Sequence, residues 1–271
     1  DVLINNYIEY QITEGLSLRS TLGATYNTNT IKLWRSSAVP FFTTLNYPAT
    51  AGVSKFSTIN YLNENTLSYK RLIQERHSFD VLAGFTSQKN STDRISAGAS
   101  DFPSEYVPYI SAGIVNTGTH TISEWSMLSL MGRVNYSFDG KYLFTATVRR
   151  DGSSRFGQNN RWGTFPSFSV GYNVSEEPFM ESVDFISNLK FRASYGIAGN
   201  NAIGNYTHIG LLGSSTYVEG SQRIPGVVPS SLSNYDLTWE RSKQSNVGVD
   251  LSLFDDRISL TADVYRDLKT D

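Results

Sequence analysis

The sequence has no cysteine, which excludes a disulfide scaffold, a thiolate metal site and a cysteine nucleophile. Histidine is scarce: His77, His120 and His208 lie far apart in the chain, so no histidine metal centre is expected. No apolar run reaches the roughly 18 residues of a membrane-spanning helix. No basic segment followed by an apolar core opens the chain, as a signal peptide would require. An excess of one charge is missing as well, because 23 Lys and Arg against 25 Asp and Glu leave a net charge of −2. That balance argues against a strongly basic nucleic-acid binder and against strong electrostatic steering. There is no P-loop, no GxGxxG and no serine elbow, and the glycine-rich run 196–204 lacks phosphate-loop spacing. No catalytic, cofactor-binding or metal-binding residue is therefore expected, no cofactor is implied, and the chain does not read as an enzyme.

What the sequence does contain is alternation. Aromatic residues make up 13% of the 271 residues, mostly Tyr and Phe, and they recur with a period of two. Tyr142, Phe144, Ala146 and Val148 alternate with Leu143, Thr145, Thr147 and Arg149. Beyond a polar stretch, Phe168, Val170 and Tyr172 alternate with Ser167, Ser169 and Gly171. That is the pattern of a hairpin and not of a helix. The same reading gives about ten strands along the chain and no helix longer than a turn or two. A helical turn is expected near Phe102–Tyr106, and a type I′ turn at Asp139-Gly140. Short turns alternate with long loops, at about 28–55, 90–120 and 199–235. Both ends read as cut from a longer chain, and residues 1–271 read as one segment.

The medium facing the apolar parity decides the class. A soluble sandwich also alternates. It seldom separates short turns from long loops so regularly, whereas an outer-membrane barrel has short periplasmic turns and long external loops. The opposite parity repeatedly carries Arg, Lys, Asn, Asp, Ser and Thr, which suits a wet lumen, while Tyr and Phe collect near strand ends, as in an interfacial girdle. The fold expected is all-β: an antiparallel transmembrane barrel portion. A passive porin-like or adhesion barrel and a secreted soluble glycan-binding β-protein remain open on these grounds.

One run of motifs goes further. Arg149-Arg150-Asp151-Gly152-Ser153-Ser154-Arg155-Phe156-Gly157 is followed by Asn160-Arg161-Trp162-Gly163 and Phe165-Pro166-Ser167. Leu189-Lys190-Phe191-Arg192-Ala193-Ser194-Tyr195-Gly196, Gly199-Asn200-Asn201-Ala202-Ile203-Gly204-Asn205-Tyr206 and Tyr235 through Glu240 come next. In order and density, from about Gly132 to Thr270, this resembles the SusC/RagA-type TonB-linked outer-membrane transporters; residues 1–124 are compatible in layout only. The resemblance implies part of a plugged barrel of about 22 strands, with plug and terminal strands outside this segment. It also implies import of oligosaccharides or peptides across the outer membrane of a Gram-negative bacterium. The implied partners are a SusD-type lipoprotein lid, TonB acting through the plug, and outer-membrane lipid and lipopolysaccharide; no nucleic acid is implied.

Two sets of residues are candidates for a site. The signature loop holds Arg149, Arg150, Asp151, Gly152, Arg155, Phe156, Gly157, Asn160, Arg161, Trp162 and Gly163. Its arginines could meet an anionic ligand, lipopolysaccharide or the lid. The favoured expectation is a brace in which they pair with Asp151 and loop carbonyls, while Gly152 and Gly157 supply turn geometry. Trp34, Phe41, Phe42, Tyr47, Tyr106, Tyr109 and Tyr217 fall in the expected external loops, where aromatic faces could stack on sugar rings or contact the lid.

Overall fold

Alternation becomes twelve strands in the computed structural model, which describes residues 1–38 and 48–270. They are β1 (Val2–Thr13), β2 (Leu16–Arg35), β3 (Thr50–Ile73), β4 (His77–Ser100), β5 (Ile114–Phe138), β6 (Tyr142–Ser153), β7 (Trp162–Asn173), β8 (Ile186–Asn200), β9 (Leu212–Glu219), β10 (Gln222–Pro229), β11 (Glu240–Leu253) and β12 (Ile258–Thr270). Ten of them form one sheet in the order β1-β2-β3-β4-β5-β6-β7-β8-β11-β12. Each neighbour in this order follows the last along the chain, save that β9 and β10 are skipped and pair with each other. The sheet is open, with β1 and β12 paired on one side only.

The short turns have the backbone their sequences dictate. Asp139 and Gly140 both take positive φ, 53° and 69°, as the type I′ turn expected there requires. Gln74 and Glu75 do the same at 51° and 58°.

Two compact units divide the chain. One comprises residues 1–6, 22–62 and 88–125, and the other 7–21, 63–87 and 126–271. In the first, cross-strand hydroxyl pairs line one face of β3 and β4: Ser54 with Ser96 at 2.9 Å and Thr58 with Thr92 at 3.1 Å. Gln88 also donates to Asn60.

In the second unit, register fixes what each face carries. One face of β5–β8, β11 and β12 shows Val134, Phe144, Val148, Phe168, Val170, Phe191, Val247 and Val264, all exposed. The other face holds Asn135, bonded by Thr145 at 2.9 Å, and Arg192, which bridges Asp250 at 2.7 Å and Asp263 at 3.3 Å. Few side chains of this chain are fully buried, because a single sheet layer has no second layer to pack against. Among the described residues the one buried apolar cluster is local: Phe156, Phe165 and Trp239, flanked by Met127, Ile197, Ile203 and Leu237.

Three expectations about the long loops change. Strands run well into them, with β3 starting at Thr50, β4 ending at Ser100 and β5 starting at Ile114. The polar stretches read as loops are strands with hydroxyl and amide ladders, which give no hydrophobic alternation to detect. No helix forms at 102–106, only a turn at 105–106. Phe102 instead packs edge-on to Trp34 at 4.8 Å, and a single 3-10 turn lies at Ile110–Ala112. Within 199–235 the β9–β10 hairpin turns at Gly220, φ 62°. Pro225 and Pro229 concealed it, since a proline within a run argues against reading that run as a strand. Ser230 N–H bonds Leu211 O at 2.8 Å, so the even residues of β10 bond inward and both prolines fall on the free edge.

Candidate functional site: the signature loop and the polar face

The signature loop joins β6 to β7, whose register keeps Asp151 opposite Gly163 and Gly152 opposite Trp162. Alternation sends its first two arginines to opposite faces. Arg149, on the polar face, gives Nε to both oxygens of Asp151 at 2.8 and 2.9 Å and Nη2 to Ser129 Oγ at 3.2 Å. Asp151 is buried, and its charge is compensated by the half-exposed Arg149. Arg150 points to the other face, its guanidinium 5.3 Å from the Trp162 ring centre.

Beyond Ser153 the loop is tied to two distant segments. Arg155 donates Nε to Asn205 Oδ1 at 2.9 Å and Nη1 to Asn201 O at 3.0 Å, and its own carbonyl accepts His208 Nδ1 at 3.0 Å. Asn201 Nδ2 reaches the buried Ser153 Oγ at 3.2 Å. Asn160 Nδ2 donates to Tyr235 O at 3.4 Å, and Trp239 Nε1 donates to Arg161 O at 3.1 Å. Phe156 is wholly buried against Trp239, with ring centres 5.1 Å apart, and Phe165 meets Trp239 edge-on at 5.2 Å.

The glycines do a different job from the one expected. Gly152 and Gly157 do not have positive φ, so they do not supply turn geometry. They allow close approach instead. A Cβ on Gly152 would sit 2.9 Å from the Trp162 indole, and one on Gly157 would sit 3.2 Å from Tyr235 O. A Cβ on Gly163 would strike Phe165 and come within 3.1 Å of Trp239, and one on Gly199 would overlap the Phe165 ring. Ser129 and His208 joined no motif in the sequence, and Ser153 stood inside the motif without an assigned role. Their partners lie 20 to 53 residues away along the chain, and no local signal marks such pairs.

At the short-turn rim, Glu177 Oε1 accepts the hydroxyls of Tyr142 at 2.8 Å and Tyr172 at 3.2 Å, while Lys141 approaches Oε2 at 3.4 Å. The two tyrosine rings stack 5.1 Å apart and 6° from parallel. These contacts, the Tyr142 hydroxyl first, hold the Glu177 carboxyl below its ordinary range. A hydrogen bond from Arg76 does the same for Asp139.

The external aromatics are scattered. In the first unit, Trp34 and Tyr109 line one apolar cleft of about 360 Å³ with Ala51, Val53, Pro108 and Ile110. Nearby, Glu105 accepts from Ser37 N–H and Oγ, which lowers its pKa. Tyr106 is almost fully exposed. In the second unit, Tyr217 lies on β9 over Gly226. Phe41, Phe42 and Tyr47 lie outside the described residues. Among the described residues no group of three or more His, Cys, Asp or Glu could hold a metal ion.

An open antiparallel sheet, apolar on one face and ion-paired on the other, is the wall of a β-barrel. The chain belongs to the family described as TonB dependent receptor-like, beta-barrel, whose model matches residues 3–271. TonB-dependent receptor P39 of Formosa agariphila is 34% identical over 97% of this chain and 25% of its own length. TonB-dependent receptor SusC of Bacteroides thetaiotaomicron is 38% identical over 52% of this chain and 14% of its own. Among solved structures, the RagAB peptide importer in its closed-closed state superposes with a TM-score of 0.85 at 29% identity, covering 99% of this chain and 30% of that one. Its open-open state gives 0.84. The chain thus spans about a quarter of the curated relatives it matches along its whole length.

Proposed function

We propose that the receptor containing this chain is an outer-membrane importer energised through TonB, taking up oligosaccharides or peptides with a SusD-type surface lipoprotein as its lid. The observation that carries this reading is the division of the sheet into two faces within a TonB-dependent receptor family. An exposed apolar face suits the hydrocarbon of a bilayer, and a face of Ser, Thr, Asn and ion-paired Arg suits a hydrated lumen. The likeness to the RagAB peptide transporter supports a peptide cargo, and the SusC/RagA-type motifs of the sequence carry the lid and the oligosaccharide alternative. In this reading the remainder of the receptor carries the plug on which TonB pulls, and this segment contributes lumen wall and external loops. The polar-face and inner part of the signature loop acts as a brace, because Arg149 is spent on Asp151, Arg155 on Asn201 and Asn205, and Asn160 on Tyr235. The external aromatics, Trp34 and Tyr109 foremost, meet cargo or lid.

Uptake of fluorescently labelled oligosaccharides and peptides by cells producing the full-length receptor tests this. Accumulation is expected to stop when TonB is deleted or a protonophore is added. Uptake that persists without TonB would make the protein a passive porin.

A further inference from the structure

Charge is distributed unequally between the two faces of the second unit. On the polar face, Arg149 is paired with Asp151, and Arg192 with Asp250 and Asp263. On the apolar face, register places Arg150, Arg241, Lys243 and Arg266, all exposed, and not one Asp or Glu of β6, β7, β8, β11 or β12. Among the described residues none of these four cations forms an ion pair, and Arg150 has only the Trp162 ring. Their cross-strand neighbours are uncharged: Leu130 and Thr164 beside Arg150, Gly199 and Thr270 beside Arg241, Ile197 and Leu268 beside Lys243.

Their height is equally consistent. Arg150 lies about eight residues beyond Tyr142, the short-turn end of β6. Lys243 and Arg241 lie about ten and twelve residues from Leu253, and Arg266 about eight from Ile258. A tilted strand crosses the hydrocarbon in about nine to eleven residues. All four therefore sit where the apolar band gives way to headgroups on the long-loop side, and below them that face is apolar save for Ser245, which stands opposite Arg266.

We infer that these four residues form a binding site for the phosphate groups of an outer-leaflet lipid headgroup. Guanidinium forks chelate phosphate oxygens, and four cations with no competing acid attract a multiply charged headgroup rather than a zwitterion. The Trp162 ring, 5.3 Å from the Arg150 guanidinium, is an uncharged contact that leaves its charge unneutralised. The inference rests on the outer-membrane reading above.

Its test uses the full-length receptor in detergent, with lipid A and dephosphorylated lipid A as probes and a fourfold variant R150Q/R241Q/K243Q/R266Q. Unfolding on heating, seen as a gel shift, reports whether each protein is a folded barrel and so checks the membrane reading separately. The folded wild type is expected to bind lipid A at least tenfold more tightly than the dephosphorylated lipid. The fourfold variant should lose that preference, while Arg133→Gln, on the polar face, should keep it. Equal binding of the two lipids by wild type, or an undiminished preference in the fourfold variant, overturns the inference. So does displacement of lipid A by inorganic phosphate at equal phosphate concentration, which would mark a site for the free ion.

Discussion

Close approach at Phe165 concentrates the cost of change in a few residues. The ring lies against Gly163 and Gly199 and edge-on to Trp239, so neither glycine has room for a methyl group. Gly199→Ala should destabilise the folded receptor by about 1–3 kcal/mol, the usual penalty for overpacking, measured by urea unfolding in vesicles. A neutral result would mean that the Phe165 ring can swing aside. At the other rim, Glu177 is held ionised by Tyr142, Tyr172 and Lys141, so its folded pKa lies below its unfolded one. The clamp's contribution is therefore fully present above the unfolded carboxyl range, about pH 4–5, and is lost as pH falls through the folded value. Wild type should lose more stability between pH 6 and about pH 3 than Glu177→Gln does; identical pH slopes would remove the clamp from the account. Little of this was legible beforehand. The pairing of Arg149 with Asp151 follows from two residues of one parity on one strand. The Arg155–Asn201, Arg155–Asn205 and Arg155–His208 contacts join segments some fifty residues apart and leave no periodic trace.

Strands were legible where one side faces an apolar medium and the other water. The alternation of Tyr142, Phe144, Ala146 and Val148 gave β6 its extent and its faces, and Asp139-Gly140 gave the turn before it. The signal faded wherever both faces meet water. The outer parts of β3 and β4 carry Ser, Thr and Asn on both parities, and β10 carries two prolines, so these strands looked like loops. The facing itself can be tested in β5. Val134 pairs with Ala146 on the apolar face, and Asn135 pairs with Thr145 on the polar one. Val134→Lys should cost about 2–4 kcal/mol, if it lies near mid-bilayer, and Asn135→Lys little. Folding titrations of the full-length receptor in phospholipid vesicles measure both, and equal tolerance at the two positions would reverse or void the assignment of faces.

Edges decide behaviour at the scale of the whole sheet. β1 and β12 each have a neighbour on one side only, and β1 exposes Leu3, Ile8 and Tyr10 as well. In water such an edge is tolerable, because its N–H and C=O groups bond solvent. In hydrocarbon each unbonded group costs several kcal/mol, and an edge of twelve or thirteen residues leaves many of them. Apolar burial cannot offset a penalty of that kind, since lipid faces the same side chains whether or not the edge is closed. Residues 1–271 produced alone should therefore fail to insert into vesicles as a protease-protected monomer, whereas the full-length receptor should insert and resist digestion. Protease digestion followed by mass spectrometry distinguishes the two outcomes. A protected monomer of residues 1–271 would mean that β1 and β12 can pair with each other, and that these ten strands close a smaller barrel without the rest of the receptor.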